Sequence, residues 1–425
     1  MKRNLTILSC LLILWGQSLL AQTTLEGCVD AARKHYPLIA QYDLVSKSTE
    51  YSLANAAKAW LPRVSVSAQT TWQNRVPEFP EAMTNAYSAM GLDFQGLDKW
   101  QYKIGVDVQQ TLWDGGWSAA ERRSALLKER EEMLSADKDF YALEKRVSDI
   151  YFGILLLRRQ MELADVSRSI LAGHLETVRS CVSLGTALAS DADALEAELL
   201  SATQRIEELK ASESAYARML SLLTGTEIDP ELLQTPSISG ETRQVRPEFA
   251  LFDASSRRLE ADRMLLNSSL HPSLSLFAQG YYGYPGLNMF DDMISRTGSF
   301  NAIVGLRLTW NISAFYDYKG KRNQLDLAQR KIELQKDIFS FNNTLSAQQE
   351  DASISRLRTL TETDARITRL RNNVRKSAEA KYKEGTIQTL DLLKAISDEQ
   401  SAALSEAIHE IQLIQAIHDY NYTIQ

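Results

Sequence analysis

Proline and glycine are scarce in this chain, at 9 and 19 of 425 residues. Both interrupt helices, so their scarcity favours long ones. Cysteine is scarcer still, at 3. Cys10 lies in an N-terminal apolar run, and Cys28 and Cys181 are spaced neither as a metal site nor as a CxxC redox pair. They read as small apolar helix residues, with a single disulfide as the alternative in an oxidising compartment. Concentrated positive charge is missing as well. The formal net charge is −7, which argues against a nucleic-acid partner. No segment in the body of the chain approaches the ~20 apolar residues of a membrane helix.

Catalytic signatures are also lacking. The histidines, at 35, 174, 271, 409 and 418, form no HExxH, and there is no GxSxG, Walker A loop or GxGxxG. The carboxylate pairs Glu131–Glu132 and Glu207–Glu208 are adjacent, so on a helix they point apart and read as solvated faces. Met83, Met90, Met289 and Met293 are too dispersed for a metal-export cluster. The expectation is no enzyme, no cofactor and no metal.

What is present begins with "MKRNLTILSCLLILWGQSLLAQ", two basic residues followed by an apolar run and Ala21. This predicts a signal peptide over 1–21, cut before Gln22. Its loss, with Lys2 and Arg3, takes the net charge from −7 to −9. Glu26 breaks the uncharged motif that lipidation at Cys28 would need.

The body of the chain is written twice. "SLGTALASD" at 183–191 is echoed by "KEGTIQTLD" at 383–391, each a Gly-Thr, four residues and an Asp. Gly185 and Gly385 are 200 apart, as are Gly105 and Gly305, while Pro37/Pro247 and Pro62/Pro272 are 210 apart. Four landmarks in one order at two offsets indicate a tandem duplication with one indel. The predicted organisation is a first repeat over 22–224, a linker over 225–246 marked by its Pro and Gly, and a second repeat over 247–425. Strands are predicted at about 63–73 and 100–113, then at about 272–283 and 301–312. Long helices follow, over 313–422 in the second copy.

The strands alternate. Val64, Val66, Ala68, Thr70 and Trp72 share a face against Ser65, Ser67, Gln69 and Thr71. Tyr102, Ile104, Val106 and Val108 oppose Lys103, Gly105, Asp107 and Gln109; Leu274, Leu276 and Ala278 oppose Ser275, Phe277 and Gln279; Val304, Leu306, Leu308 and Trp310 oppose Gly305, Arg307 and Thr309. Period two means one dry face and one wet face, and aromatics at the strand ends suit membrane interfaces. A soluble sheet with one face on a core is the bland alternative. From about Ser118 to Leu184 there is no proline, enough for a rod of ~100 Å. Leu360, Ile367 and Val374, flanked by Leu357 and Leu370, predict a coiled-coil seam. Four strands cannot close a membrane barrel, so copies must associate. Two copies would give 8 strands and three would give 12.

These features resemble the TolC family of outer-membrane efflux proteins. The likeness rests on "TLEGCVDAARKHYPLI" at 24–39, the duplicated Pro-x-(Val/Leu)-Ser strand starts, "LLTG" at 222–225 and "KYKEGTIQTLDLLKA" at 381–395. The resemblance implies an α+β membrane protein. Four strands per chain would contribute to a trimeric 12-stranded outer-membrane β-barrel, continued by a long periplasmic α-helical barrel. It implies a homotrimer working with a periplasmic adaptor and an inner-membrane transporter to pass small toxic compounds to the outside. The alternatives are a partner of an ABC-type polypeptide secretion system and, in another class, a secreted coiled-coil scaffold or adhesion protein.

The resemblance also implies a periplasmic gate at the Gly-Thr turns. Gly185 and Gly385 would make the turns, since glycine can take the left-handed conformation that ends a helix. The alternative to a gate role is structural: Ser190, Asp191, Thr389 and Asp391 lie in the opening turn of the next helix, where side-chain oxygens can cap free N–H groups. Tyr382 matches the closing tyrosine and Ser190 its hydroxyl partner. Asp191 matches an acid that pairs with an arginine, but Ile387 stands at the arginine position. Asp391 matches the first acid of a ring lining the constriction. Lys394 replaces the second, and could pair with Asp391 one turn back.

Overall fold

The computed structural model describes residues 23–91, 96–237 and 246–424. The expected signal peptide, 92–95 of the first loop and 238–245 of the linker lie outside the described residues. The elements run α1 (Leu25–His35), α2 (Ile39–Lys58), β1 (Arg63–Trp72), α3 (Glu81–Ala89), β2 (Trp100–Trp113), α4 (Trp117–Ser183) and α5 (Ala189–Thr224). After a short 3-10 turn at Pro230–Leu232 come α6 (Pro247–Ser268), β3 (Ser273–Tyr284), α7 (Met289–Ser295), β4 (Ser299–Thr309), α8 (Ala314–Lys383) and α9 (Thr389–Ile424). From α2 onward, the second half repeats the order of the first. β4 starts and stops two to three residues earlier than expected, at Ser299 and Thr309, and just past its end the Trp310 indole N–H donates to the Leu270 carbonyl, 2.9 Å away.

Two compact units divide the described residues, one drawn from 44–91, 96–133 and 252–334, the other from 23–43, 134–237, 246–251 and 335–424. The first holds all four strands, in one antiparallel sheet of order β1-β2-β3-β4. Directly paired residues share a face, so the register can be read across the sheet. Val66, Val106, Gly280 and Ala302 make one row, and Val64, Val108, Ala278 and Val304 the next. No Asp, Glu, Lys or Arg occurs anywhere on that face. It is also bare: Val66 is 74% exposed, Val304 72% and Leu306 66%.

A bulge in β2 brings an aromatic to the end of this face. Thr111 pairs with Ser275, but Trp113 pairs with Leu274. The extra residue, Leu112, reverses the parity and turns Trp113 onto the apolar side. At the other end Trp72 pairs with Trp100, and Tyr102 with Thr70 and Tyr284. At ~3.3 Å per residue, ~35 Å of strand separates Tyr102 from Trp113, and a tilt of ~40° leaves ~27 Å between the aromatic ends.

The second unit is helical. Its core gathers Leu25, Cys28 and Ala32 of α1 with Phe140, Leu143, Val147, Tyr151 and Ile154 of α4 and Leu220 of α5. Thr23 and Leu233 form a parallel bridge, and the Tyr151 hydroxyl reaches the carbonyls of Thr23 at 2.8 Å and Gln234 at 2.7 Å. Arg158 donates to three carbonyls of the 3-10 turn region. Arg246 opens α6 inside an aromatic cage. Its guanidinium pairs with Glu248, donates to Asn343 Oδ1 at 2.7 Å and stacks within 5.5 Å of Tyr141, Phe339 and Tyr422.

The expected seam on α8 is not a seam within one chain. Ile354 and Leu357 are buried, but Ile367, Leu370 and Val374 are 41%, 53% and 51% exposed. A heptad period establishes an apolar stripe without saying which helix covers it, and the described residues supply no cover for these three positions. Among the described residues no helix is long and apolar enough to cross a membrane.

Among the described residues both cysteines, Cys28 and Cys181, are free. Burial, with the Glu26 carboxylate second, pushes the Cys28 thiol up to about 11, so at pH 8 only about one in a thousand is thiolate. In protein lacking residues 1–21, a thiol reagent at pH 8 should label half-buried Cys181 at once and Cys28 only in denaturant. A second thiol titrated before unfolding would show that α1 opens easily.

Candidate periplasmic gate and sheet lumen

The repeated phrase is accounted for atom by atom. α4 ends as Gly185 takes φ +73° and α8 ends as Gly385 takes φ +69°, the left-handed region that glycine enters without strain. At the first turn the Gly185 N–H donates to Val182 O at 3.0 Å and the Thr186 N–H to Cys181 O at 2.9 Å. At the second, Gly385 donates to Tyr382 O at 3.0 Å and Thr386 to Lys381 O at 2.9 Å. This is the Schellman pattern twice over. The threonine hydroxyl adds a further bond to the same carbonyl, 3.0 Å to Cys181 O and 2.9 Å to Lys381 O. The next helix then needs a partner for a free amide at its start. Asp191 accepts the Leu188 N–H at 3.2 Å, and Asp391 the Gln388 N–H at 3.4 Å. Each acid completes half of a capping box, favoured too by the helix dipole.

The hydroxyls do otherwise than expected. Ser190 is exposed and, among the described residues, its hydroxyl makes no hydrogen bond. Tyr382 places its hydroxyl 3.2 Å from Thr389 Oγ1 of its own coil rather than on Ser190, and Thr389 is buried. Nor do Asp391 and Lys394 form an ion pair among the described residues; both are exposed. Asp391 is turned back toward the Gln388 amide, away from the helical neighbour one turn on.

Comparing the two turns separates scaffold from candidate function. Gly, Thr and Asp stand in both. At an offset of 200, however, Tyr382, Thr389 and Lys394 face Val182, Ala189 and Ala194. The tyrosine–threonine bond therefore belongs to the second turn alone. Below the turns, Leu171, Leu175 and Val178 of α4, Leu195 of α5, and Leu392 and Ile396 of α9 form a buried layer, with Tyr382 packed against it. Arg179 pairs with Glu196 at 2.7 Å, Arg371 with Asp398 at 2.8 Å, and Arg375 with Glu379 and Glu399. Next to that layer the helices part around a cavity of about 540 Å³, where the side-chain amides of Asn372 and Gln400 each keep one buried atom unbonded. Leu184, Leu188 and Leu390 are more than two-thirds exposed. Apolar periodicity did not reveal them as candidates, because turn leucines belong to no helical stripe.

A second candidate surface is the polar face of the sheet. Gln279 bridges Lys103, whose Nζ is 2.8 Å from its Oε1, and the Asp107 carboxylate, which also accepts from Ser67 Oγ at 3.1 Å. Lys103 stands 4.1 Å over the Tyr281 ring and Arg307 4.6 Å over the Phe277 ring. Among the described residues no group of His, Cys, Asp and Glu could hold a metal ion.

We expect Gly385→Ala to strain the second turn by ~1–2 kcal/mol, since alanine must take the left-handed region. Asp391→Ala should cost ~1 kcal/mol through the lost cap. Amide exchange across 381–391 would quicken in both; unchanged exchange would mean that neighbouring contacts, not these groups, hold the turn.

No protein-family model matches the sequence, and no curated protein does. Solved structures do match. The chain is similar to the outer membrane protein VceC of Vibrio cholerae at 13% identity, covering 93% of this chain and 95% of that one, with a TM-score of 0.68. It is similar to the Campylobacter jejuni CmeC outer membrane channel at 14% identity, over 94% and 85%, with a TM-score of 0.65. The open state of the Neisseria gonorrhoeae MtrE outer membrane channel gives 15% identity, over 94% and 88%, and a TM-score of 0.66. At these identities the likeness is one of fold, and nearly the whole of this chain has the fold of an outer-membrane channel.

Proposed function

We propose that the chain is one protomer of a trimeric channel-tunnel of the TolC family, in the outer membrane with its helical tube in the periplasm. It would pass small toxic compounds from an inner-membrane pump to the outside. One observation carries this reading: an exposed apolar sheet face without a single Asp, Glu, Lys or Arg, backed by a hydrogen-bonded polar face. A soluble sheet would cover such a face with a core; a lipid-facing barrel wall leaves it bare. The loops 74–99 and 283–300 would then open to the exterior.

The periplasmic partners are proposed from the turns. Exposed Leu184, Leu188 and Leu390 offer apolar knobs to an adaptor, and Tyr382 holds the second turn shut through Thr389. The role of Ser190 as a hydroxyl partner would require a neighbouring protomer. Asp391 and Lys394 would bring charges of both signs to the constriction.

Purified in detergent, the protein should give discrete conductance steps in a planar bilayer. A protein soluble without detergent and silent in the bilayer would instead be a secreted coiled-coil scaffold. Val304→Lys, midway along the apolar face, should sharply reduce membrane insertion, at ~2–4 kcal/mol per copy. Gln109→Lys on the polar face should insert normally; equal insertion of both would remove the assignment of faces. Tyr382→Phe with Ser190→Ala should enlarge the conductance steps, and unchanged steps would rule out a hydroxyl latch.

A further inference from the structure

The polar face of the sheet carries four ionisable side chains: Arg63, Lys103, Asp107 and Arg307. Three are cations and one is an anion, so each chain presents a net +2 on a face whose reverse has no charge at all. This reverses the sign of the chain as a whole, at −7. The excess is therefore local and not a by-product of composition.

The one anion is also the most tied down. Asp107 accepts from both Ser67 and Gln279 and is half-buried on the wall. Arg63 and Arg307 are exposed, and among the described residues no carboxylate pairs with either of them or with Lys103. Lys103 and Arg307 are instead steadied over aromatic rings, which fixes the cations without neutralising them. Gln279 holds Lys103 and Asp107 apart as separate charges, each with one end of its amide.

We infer that this face is an anion-selecting wall: the lumen it lines admits anionic solutes, such as chloride and organic carboxylates or phosphates, ahead of cations. The inference rests on the proposed channel and specifies the chemistry of what passes through it. Rings of like charge set the selectivity of wide pores. Three copies would repeat the excess around the wall, and fixed charges act over ~10 Å at 0.1 M salt. At the carried-over constriction Asp391 and Lys394 contribute one charge of each sign, so this pair does not oppose the wall.

The test is the reversal potential of single channels in a KCl gradient at low salt. The wild-type chloride-to-potassium permeability ratio should exceed unity. Lys103→Gln with Arg307→Gln should lower it to unity or below, and Asp107→Asn should raise it. Should the double variant fail to insert, the rise in Asp107→Asn alone decides. A cation-preferring wild type, or three equal ratios, would overturn the inference while leaving the channel standing. Absence of channel steps from the wild type would overturn the channel and the inference together.

Discussion

Strand parity is the constraint on which the sheet depends. Each strand carries an apolar and a polar set in strict alternation, and antiparallel pairing puts like with like across four strands. A slip of one residue in β2 or β4 would move Lys103 and Asp107, or Arg307, onto the apolar face. The bonds among Ser67, Asp107, Gln279 and Lys103 oppose such a slip, because they link three adjacent strands in one register. The bulge at Leu112 is the one place where parity changes, and it does so where an aromatic must reach the apolar side. The bare apolar face and the hydrogen-bonded polar face are thus two consequences of one pairing pattern.

The turns follow a different logic. A helix end leaves carbonyls and amides unpaired, and two ends in succession double the problem. Gly, Thr and Asp resolve it within nine residues, identically in both halves, with no help from the rest of the chain. That independence leaves the intervening positions free to diverge. Tyr382, Thr389 and Lys394 are products of that freedom, which is why they are better candidates for a gate than the acids that the phrase shares.

This division also explains what was legible in the sequence. The long helices, the two faces of each strand and the Gly-Thr turns depend on neighbours close in the chain, and local patterns disclose them. The bulge at Leu112 does not appear in β2 alone, since parity reversal exists only against β3. The cage around Arg246 joins residues far apart in the chain, whose proximity depends on packing. The stripe at Ile367, Leu370 and Val374 was visible as a period, yet the period cannot name its partner. The acids were visible as a repeat and as candidate caps, and their hydrogen bonds to Leu188 and Gln388 name the amides they cap.

Two demands remain unmet by one copy, each in its own unit. The stripe on α8 lies bare, and β1 and β4 are open edges whose unpaired groups would each cost several kcal/mol in hydrocarbon. The strand number says how copies can meet the second demand. With four antiparallel strands, β4 runs opposite to β1. Joining β4 of one copy to β1 of the next therefore continues the antiparallel pattern, with every copy in the same membrane orientation. A two-fold pairing of β1 with β1 would invert one copy across the bilayer and still leave both β4 edges open. Only a head-to-tail ring about the membrane normal closes every edge, and such rings are the heterologous cyclic assemblies that symmetry permits. The even strand count of the duplicated chain, two strands from each repeat, is what makes that ring possible.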